Sequence, residues 1–294
     1  MADLNLSSFL STDEDGVSET SSPDVLSGSS VNTYLRCGKQ WEFAYVLQLR
    51  RPPSIKQGLG IAAHEAVGFN MEQKTLTYMD LSVEEVTEKF VDTWDHMADE
   101  IDDVTNVERT DERTGKTTRT RKETKGQAKD SGIKAVEIHH TEVAPGIQPI
   151  WVEREISFRL NDEIEWTGVF DLADDRGRVR DWKFVSKKPQ DAGGYMIPMI
   201  GYALGYRQIS DSIESEVVLD HIVRTQEPYY LPIPSGGPIT DEAIRQFAAI
   251  VTEVRRGINA SIFNPNGLHS HACGWCGYAD ICPAFRAANG GRNT

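Results

Sequence analysis

Three short runs of this 294-residue chain hold side chains whose types and spacing suit chemistry. In TGVFDLADDRGRVRDWKF, Asp171 lies near the end of one strand-like stretch, and Asp181 and Lys183 lie two apart on the next. Side chains two apart on a strand share a face, so Asp181 and Lys183 project to one side. A turn around Asp174–Gly177 brings Asp171 alongside them. Two carboxylates and one ammonium then converge on a point. Hard divalent cations take such oxygen ligands, and Mg2+ is usually held by one or two carboxylates plus a substrate phosphate. The lysine would orient or activate a water, or offset charge on a phosphorane-like transition state. D-x-K alone is common, and a surface salt bridge on an edge strand is its plainer reading. The second run is His64–Glu65, after a glycine-rich stretch. The third is C-x2-C-x5-C at Cys273, Cys276 and Cys282, with Cys37 standing 236 positions earlier (273 − 37). Zinc ribbons generally use two CxxC knuckles, which this chain lacks.

Periodicity indicates the elements that must position these residues. SSVNTYLRCGKQWEFAYVLQL reads as a short helix, a break at Cys37–Gly38 and a second helix. RRPPSIKQGLG reads as a loop closed by glycines. A helix is expected from Ile61 to about Met71, carrying His64 and Glu65, and another from Ser82 to about Ile101. Alternation of Ile150, Val152, Ile156, Phe158 and Leu160, then Ile164, Trp166, Phe170 and Leu172, predicts a hairpin, with a third strand over 179–185. Glu153 and Glu155 fall on its polar face, which reads as a solvated surface or as placing one of them near a bound cation. Trp182 and Phe184 point away from Asp181 and Lys183, into the core. A helix over about 192–209, a strand over 215–224 and a final helix capped by Thr240 and stopped at Gly257 complete the series. The order αα–βββ–α–β–α indicates a mixed α/β sheet domain.

Composition narrows the function classes. The apolar share is 39%, the charged share 26%, and no run approaches the ~18 apolar residues of a membrane span. MADLNLSSFLSTDEDG has neither a basic start nor an apolar core, so no secretory signal is expected. Four cysteines without such a signal suit a reducing, cytoplasmic setting, where metal or cluster ligation outranks disulfides. The net charge of −14 argues against coating nucleic acid by bulk charge. It leaves room for a local basic groove. Six acids and no Lys or Arg within residues 1–30 mark 1–28 as a disordered acidic tail, and 286–294 is expected to be a flexible C-terminal segment. Segment 105–132 has eight basic and five acidic residues with almost no apolar content. It reads as a solvated loop or helical extension, or as a nucleic-acid clamp that orders on binding.

Together, GxxD (Gly168–Asp171), DxK (Asp181–Lys183) and the upstream His64 resemble the PD-(D/E)XK nuclease superfamily, and within it the RecB-like branch. The resemblance covers about 29–285 as one domain and implies a restriction-endonuclease-like α/β core, a mixed sheet flanked by helices. It implies a Mg2+ or Mn2+ site, with room for two ions, at His64, Asp171, Asp181 and the backbone carbonyl of Trp182. Lys183 would be catalytic. The cysteine spacing, with SSVNTYLRCGKQWEFAYV and HACGWCGYADICPAF around it, resembles the iron–sulfur nucleases, including CRISPR-associated exonucleases. There Cys37, Cys273, Cys276 and Cys282 would hold a 4Fe–4S cluster in a module built from 29–60 and 259–285. Zinc in the same thiolates, with His269 or His271 as alternate ligand, is the competing occupant. Trp275 would shield the cluster.

One feature departs from the family. Its Q-x-x-x-Y helix here reads GGYMIPMIGYALGY, with Pro198 where the glutamine would be and Tyr202 in the tyrosine position. Tyr195, Tyr202 and Tyr206 suit either a DNA-facing role or the core. Arg178, Arg180, Lys187 and Lys188 would bind phosphates or serve as ordinary surface charge. The function implied is a metal-dependent DNA exonuclease acting on single-stranded or frayed ends, 5′-to-3′ by preference. It would serve recombination, repair or end processing in a bacterial or phage-infected cell, beside a helicase or recombination protein and compatibly with homo-oligomerisation. The alternatives are a non-catalytic DNA-end-binding subunit and an endonuclease using the same metal site.

Overall fold

The structure, a computed structural model, describes residues 25–101, 106–111, 116–121, 123–266, 273 and 276–288; for 106–111, 116–121 and 286–288 it describes the backbone alone. Most of the acidic tail, His269, His271, Trp275 and residues 289–294 lie outside these. Order is already present at Val25–Leu26, a two-residue strand β1, rather than from Ser29. Leu26 is fully buried, so this pair belongs to the domain and not to the tail.

Helix α1 (Gly28–Arg36), α2 (Gly38–Trp41) and a π-helical turn (Glu42–Val46) follow, with the expected break at Cys37. Helix α3 runs over Ile55–Thr77 and so begins six residues before the expected Ile61. Ser54 and Gln57 form a reciprocal capping box that nucleates it upstream of the glycines. Gly58 is inside the helix because Ile101 packs there: a Cβ would lie 2.5 Å from the Ile101 Cδ1. Helix α4 (Val83–Met97) is capped likewise by Ser82 and Glu85 and buries Val86, Phe90 and Trp94.

Segment 105–132 is neither a loop nor a helical extension at its start. It holds an antiparallel hairpin, β2 (Asn106–Asp111) with β3 (Lys116–Arg121), outside the main sheet. Helix α5 (Lys125–Ile138) then begins at a Thr124–Gln127 capping box. The Thr-rich run suits strands. The helix escapes a periodicity search because its buried stripe is small: Ala128, Gly132, Ala135 and Val136.

The sheet is built from β4 (Pro149–Asn161), β5 (Ile164–Asp174) and β6 (Arg178–Val185), then β7 (Glu216–Val223) and β8 (Tyr229–Pro234). Neighbours run β1-β5-β6-β7-β8, and β4 lines the other edge of β5. Strand β6 pairs parallel to β7, with helix α6 (Met196–Ser210) as the crossover; β4–β5, β5–β6 and β7–β8 are antiparallel. Strand β8 was hidden by Pro232 and Pro234, which an edge strand tolerates. Helix α7 (Asp241–Asn259) is capped by Thr240, but Gly257 does not stop it. Tyr34 occupies the space a Cβ there would need, 2.2 Å from its hydroxyl. Helix α8 (Pro283–Ala288) ends the described chain.

Helices α1, α6 and α7 cover one face of the sheet around Trp166, Phe170 and Phe247; α3 and α5 cover the other around Leu172, Trp182 and Ile222. This is the mixed α/β architecture expected. Among the described residues no helix is long and apolar enough to cross a membrane.

Candidate active site and cysteine cavity

Strands β5 and β6 pair only at Leu172↔Arg180 and Ala173↔Val179, and then part. Further along, the edge of β5 that β6 has left is taken by β1, at Glu165 and Trp166. The fork between them is the candidate site. Continuing the register sets Asp171 opposite Asp181 at its mouth. The Asp171 Oδ2 accepts a hydrogen bond from the Trp182 backbone N–H at 2.6 Å, which ties the two arms together. Its Oδ1 lies 3.5 Å from His64 Nδ1 of α3. The Lys183 ammonium pairs with Asp181, donates to the Trp182 carbonyl at 3.2 Å, and stands 5.6 Å from the Tyr195 ring centroid. All four expected residues meet here. Trp182 is fully buried on the opposite side, as expected.

The electrostatics follow from putting two carboxylates together out of water. Burial and neighbouring Asp171 push the Asp181 carboxyl above its ordinary range, and Lys183 only partly offsets them. Burial also works against charge on Asp171, but His64, Lys183 and the Trp182 N–H outweigh it and hold that carboxyl low. For His64 burial opposes the imidazolium, and Asp171 overcomes it, so the ring rises above its usual value. For Lys183 burial is likewise outweighed by Asp181 and Asp171. A cation between the aspartates would relieve their repulsion, and a carboxylate–imidazole set suits a hard or borderline divalent ion. Among the described residues no three His, Cys, Asp or Glu side chains stand at ligand spacing already. In the fork Lys183 occupies the position beside Asp181, so a metal would have to displace it.

Glu153 was undervalued by its alternation. The pairs Val152↔Leu172 and Arg154↔Phe170 set it across from Asp171, and its φ of 45° is in the left-handed region. That turns its carboxylate inward against α3 at Gly68, where a Cβ would lie 2.9 Å from the Glu153 Oε1. Burial, with Glu65, Asp171 and Glu72 nearby, raises its carboxyl to about 7. Glu155 stays on the exposed face.

The tyrosines divide. Tyr206 is core, edge-on to Trp151. Tyr202 lies over Gly168, where a Cβ would be 3.1 Å from the ring, and burial followed by Asp181 and Asp171 raises its hydroxyl. Pro198 packs on Gly28 at the start of α1, so the glutamine's position is covered by the N-terminal helix. Two arginines are corrected. Arg180 is buried and bonds Asp220 at 2.7 and 2.9 Å and Asp174 at 3.1 Å. Arg178 Nε bonds the same Asp174 at 2.7 Å. Both compensate interior carboxylates rather than standing as free surface charge, and the Arg180 side chain is withdrawn from solvent. Lys187 and Lys188 are exposed beyond the end of β6.

The four cysteines, from segments far apart in sequence, line one cavity with Phe43, Pro265, Asn266 and Phe285 among its walls. All are free thiols. Burial raises Cys273 and Cys276, and so do the neighbouring cysteines. Around them Arg51 bonds Asp280 at 2.7 Å and Tyr278 donates to the Leu49 carbonyl at 2.8 Å, joining the chain's two ends.

A solved Eubacterium rectale protein designated "Putative exonuclease" is similar in fold, with a TM-score of 0.54 at 12% identity, covering 86% of this chain and 88% of that one. The structure of SSO0001 is similar over 46% of this chain and 60% of that one, with a TM-score of 0.34 at 14% identity. No curated protein matches. A model of the PD-(D/E)XK nuclease superfamily matches residues 25–283, nearly the whole described chain. This chain therefore belongs to the PD-(D/E)XK nuclease superfamily, a group of hydrolytic nucleases.

Proposed function

We propose that the protein is a divalent-metal-dependent exonuclease acting on single-stranded or frayed DNA ends, with 5′-to-3′ the preferred direction. The observation that carries the reading is the fork of β5 and β6, which gathers Asp171, Asp181, Lys183 and His64 at one point. Asp171, Asp181, His64 and the Trp182 carbonyl would hold Mg2+ or Mn2+. Such an ion, when bound, polarises a phosphoryl oxygen and makes water a better nucleophile at neutral pH. The Trp182 N–H fixes the Asp171 rotamer, and Asp171 orients His64. Lys183 supplies positive charge where the phosphoryl oxygens and the departing 3′-oxygen gather negative charge. Hydrolysis leaves a 5′-phosphate and a 3′-hydroxyl. Exposed Lys187 and Lys188 would contact the DNA backbone. Recombination, repair or end processing is the setting that such an enzyme serves.

The four cysteines support a 4Fe–4S cluster. Four thiols from distant segments around one cavity, with Cys273 and Cys276 raised by burial and by the neighbouring cysteines, suit a tetrathiolate site. Zinc there would give colourless protein with stoichiometric metal instead of a brown one.

The test is digestion of end-labelled linear and of circular single-stranded DNA with Mg2+, Mn2+ or EDTA, beside Asp181→Ala and Lys183→Ala. Metal-dependent shortening of the linear strand alone, lost by at least a hundredfold in both variants, is expected. Cutting of the circle would make it an endonuclease. Intact DNA retained in a binding assay would make it an end-binding subunit.

A further inference from the structure

The Lys183 ammonium pairs with the Asp181 carboxylate, donates to the Trp182 carbonyl and lies over the face of Tyr195. The first two are oxygens that the proposed cation would claim. Once they turn to the metal, the ammonium loses both acceptors and meets a second positive charge. The Tyr195 ring stays beside the ammonium, and it ligates nothing. A cation about 6 Å or less from a ring centroid is attracted to the aromatic face; here the separation is 5.6 Å.

The ring is set in place from several sides. Tyr195 closes a 3-10 turn, Gly193–Tyr195, at the start of α6, its N–H bonded to the Ala192 carbonyl at 2.8 Å. Asp191 accepts from the Gly193 N–H at 2.9 Å, and Asn32 of α1 donates to the Gly194 carbonyl at 3.0 Å. His221, registered beside Lys183 in the parallel β6–β7 ladder, meets the ring edge-on at 5.9 Å and 68°. Burial lowers the affinity of His221 for a proton, which leaves a neutral ring beside the ammonium.

We propose that Tyr195 is a positioning residue: its ring face holds the Lys183 ammonium over the fork when Asp181 and the Trp182 carbonyl are occupied by metal. The proposal rests on the nuclease reading above. A face contact needs the ring and not the hydroxyl, so Tyr195→Phe and Tyr195→Leu separate this role from hydrogen bonding and from plain packing.

Two measurements are made on the full-length protein and both variants, all checked by thermal melting. One is kcat and KM on labelled single-stranded DNA with Mg2+. The other is the rate at which an amine-reactive acylating reagent labels Lys183, followed by peptide mass spectrometry with saturating Ca2+ and no DNA. Tyr195→Phe should match wild type in both. Tyr195→Leu should lose about tenfold in kcat with KM unchanged, and its Lys183 should label several-fold faster. Equal losses in Phe and Leu variants, a change in KM alone, or unchanged labelling in Tyr195→Leu would overturn the proposal. If wild type fails to cut DNA, the nuclease reading fails, and the labelling comparison still decides whether Tyr195 holds the ammonium.

Discussion

Glu153 illustrates how backbone conformation recasts a residue. In the sequence it is one of two glutamates alternating with apolar neighbours, which is the pattern of a wet strand face. A left-handed φ on a non-glycine residue is not written in that pattern, and it is what swings this carboxylate toward Asp171. Asp181 and Lys183 were legible as a pair two apart on one strand face, with Asp171 across the turn, whereas the assigned roles of Asp171 and His64 came from the family resemblance. The raised carboxyl of Glu153 has a consequence for stability. Its folded value near 7 exceeds the ordinary 4.5, so the fold holds this proton more tightly than the unfolded chain does. The stability it contributes is fully present below about pH 4.5 and is lost as pH rises through 7. In EDTA, Glu153→Gln should therefore be more stable than wild type at pH 8, by about 1 kcal/mol after allowing for its partial exposure, and no more stable at pH 4.5. Denaturant melts at the two pH values check this, and equal differences at both would show a solvated side chain. With metal restored, the same variant should cut DNA more slowly.

At the scale of elements, the sheet was readable where alternation is strong and unreadable where it is broken by proline or carried by small residues. Strand β8 escaped notice on the first ground and helix α5 was read only as a helical extension of 105–132 on the second, while the start of α3 was hidden by glycines that serve close packing. Arg178 and Arg180 mislead for a related reason. Sequence shows charge beside a candidate site but not which side of the sheet it faces. Arg180 is inside, between Asp174 and Asp220, and Tyr230 donates to the same Asp220 at 2.6 Å. Removing the guanidinium takes the bidentate cation from buried Asp220, which keeps the Tyr230 hydroxyl, while Asp174 keeps Arg178; breaking such a buried pair typically costs about 3–5 kcal/mol. Arg180→Ala should consequently lose stability on that scale in urea melts while whatever remains folded binds DNA as wild type does. A fully stable Arg180→Ala with weakened DNA affinity would instead restore the phosphate-contact reading.

For the whole molecule, the cysteine cavity stands where the N-terminal and C-terminal segments meet. The Arg51–Asp280 pair and the Tyr278–Leu49 hydrogen bond also span that junction, so the junction has protein contacts of its own. Chelation of the proposed cluster should then lower the melting temperature without abolishing cooperative unfolding, and Cys37→Ser and Cys282→Ser should reproduce the lowered value with loss of brown colour. Melting temperatures followed by circular dichroism, before and after chelation, give the answer. A chelated protein as stable as the loaded one would remove the structural role of the metal.

The same junction sets an order of events during synthesis. Cys37 leaves the ribosome 236 residues before Cys273 (273 − 37), and at ~5–20 residues per second that is a wait of roughly 10–50 s. Throughout this interval the sheet and its fork can form, while the cavity has only one of its four thiols. Delivery of the proposed cluster would therefore follow the emergence of Cys282, and protein that never received it would keep its Asp171–Asp181 fork and hold the cysteine junction by contacts such as Arg51–Asp280 and Tyr278–Leu49.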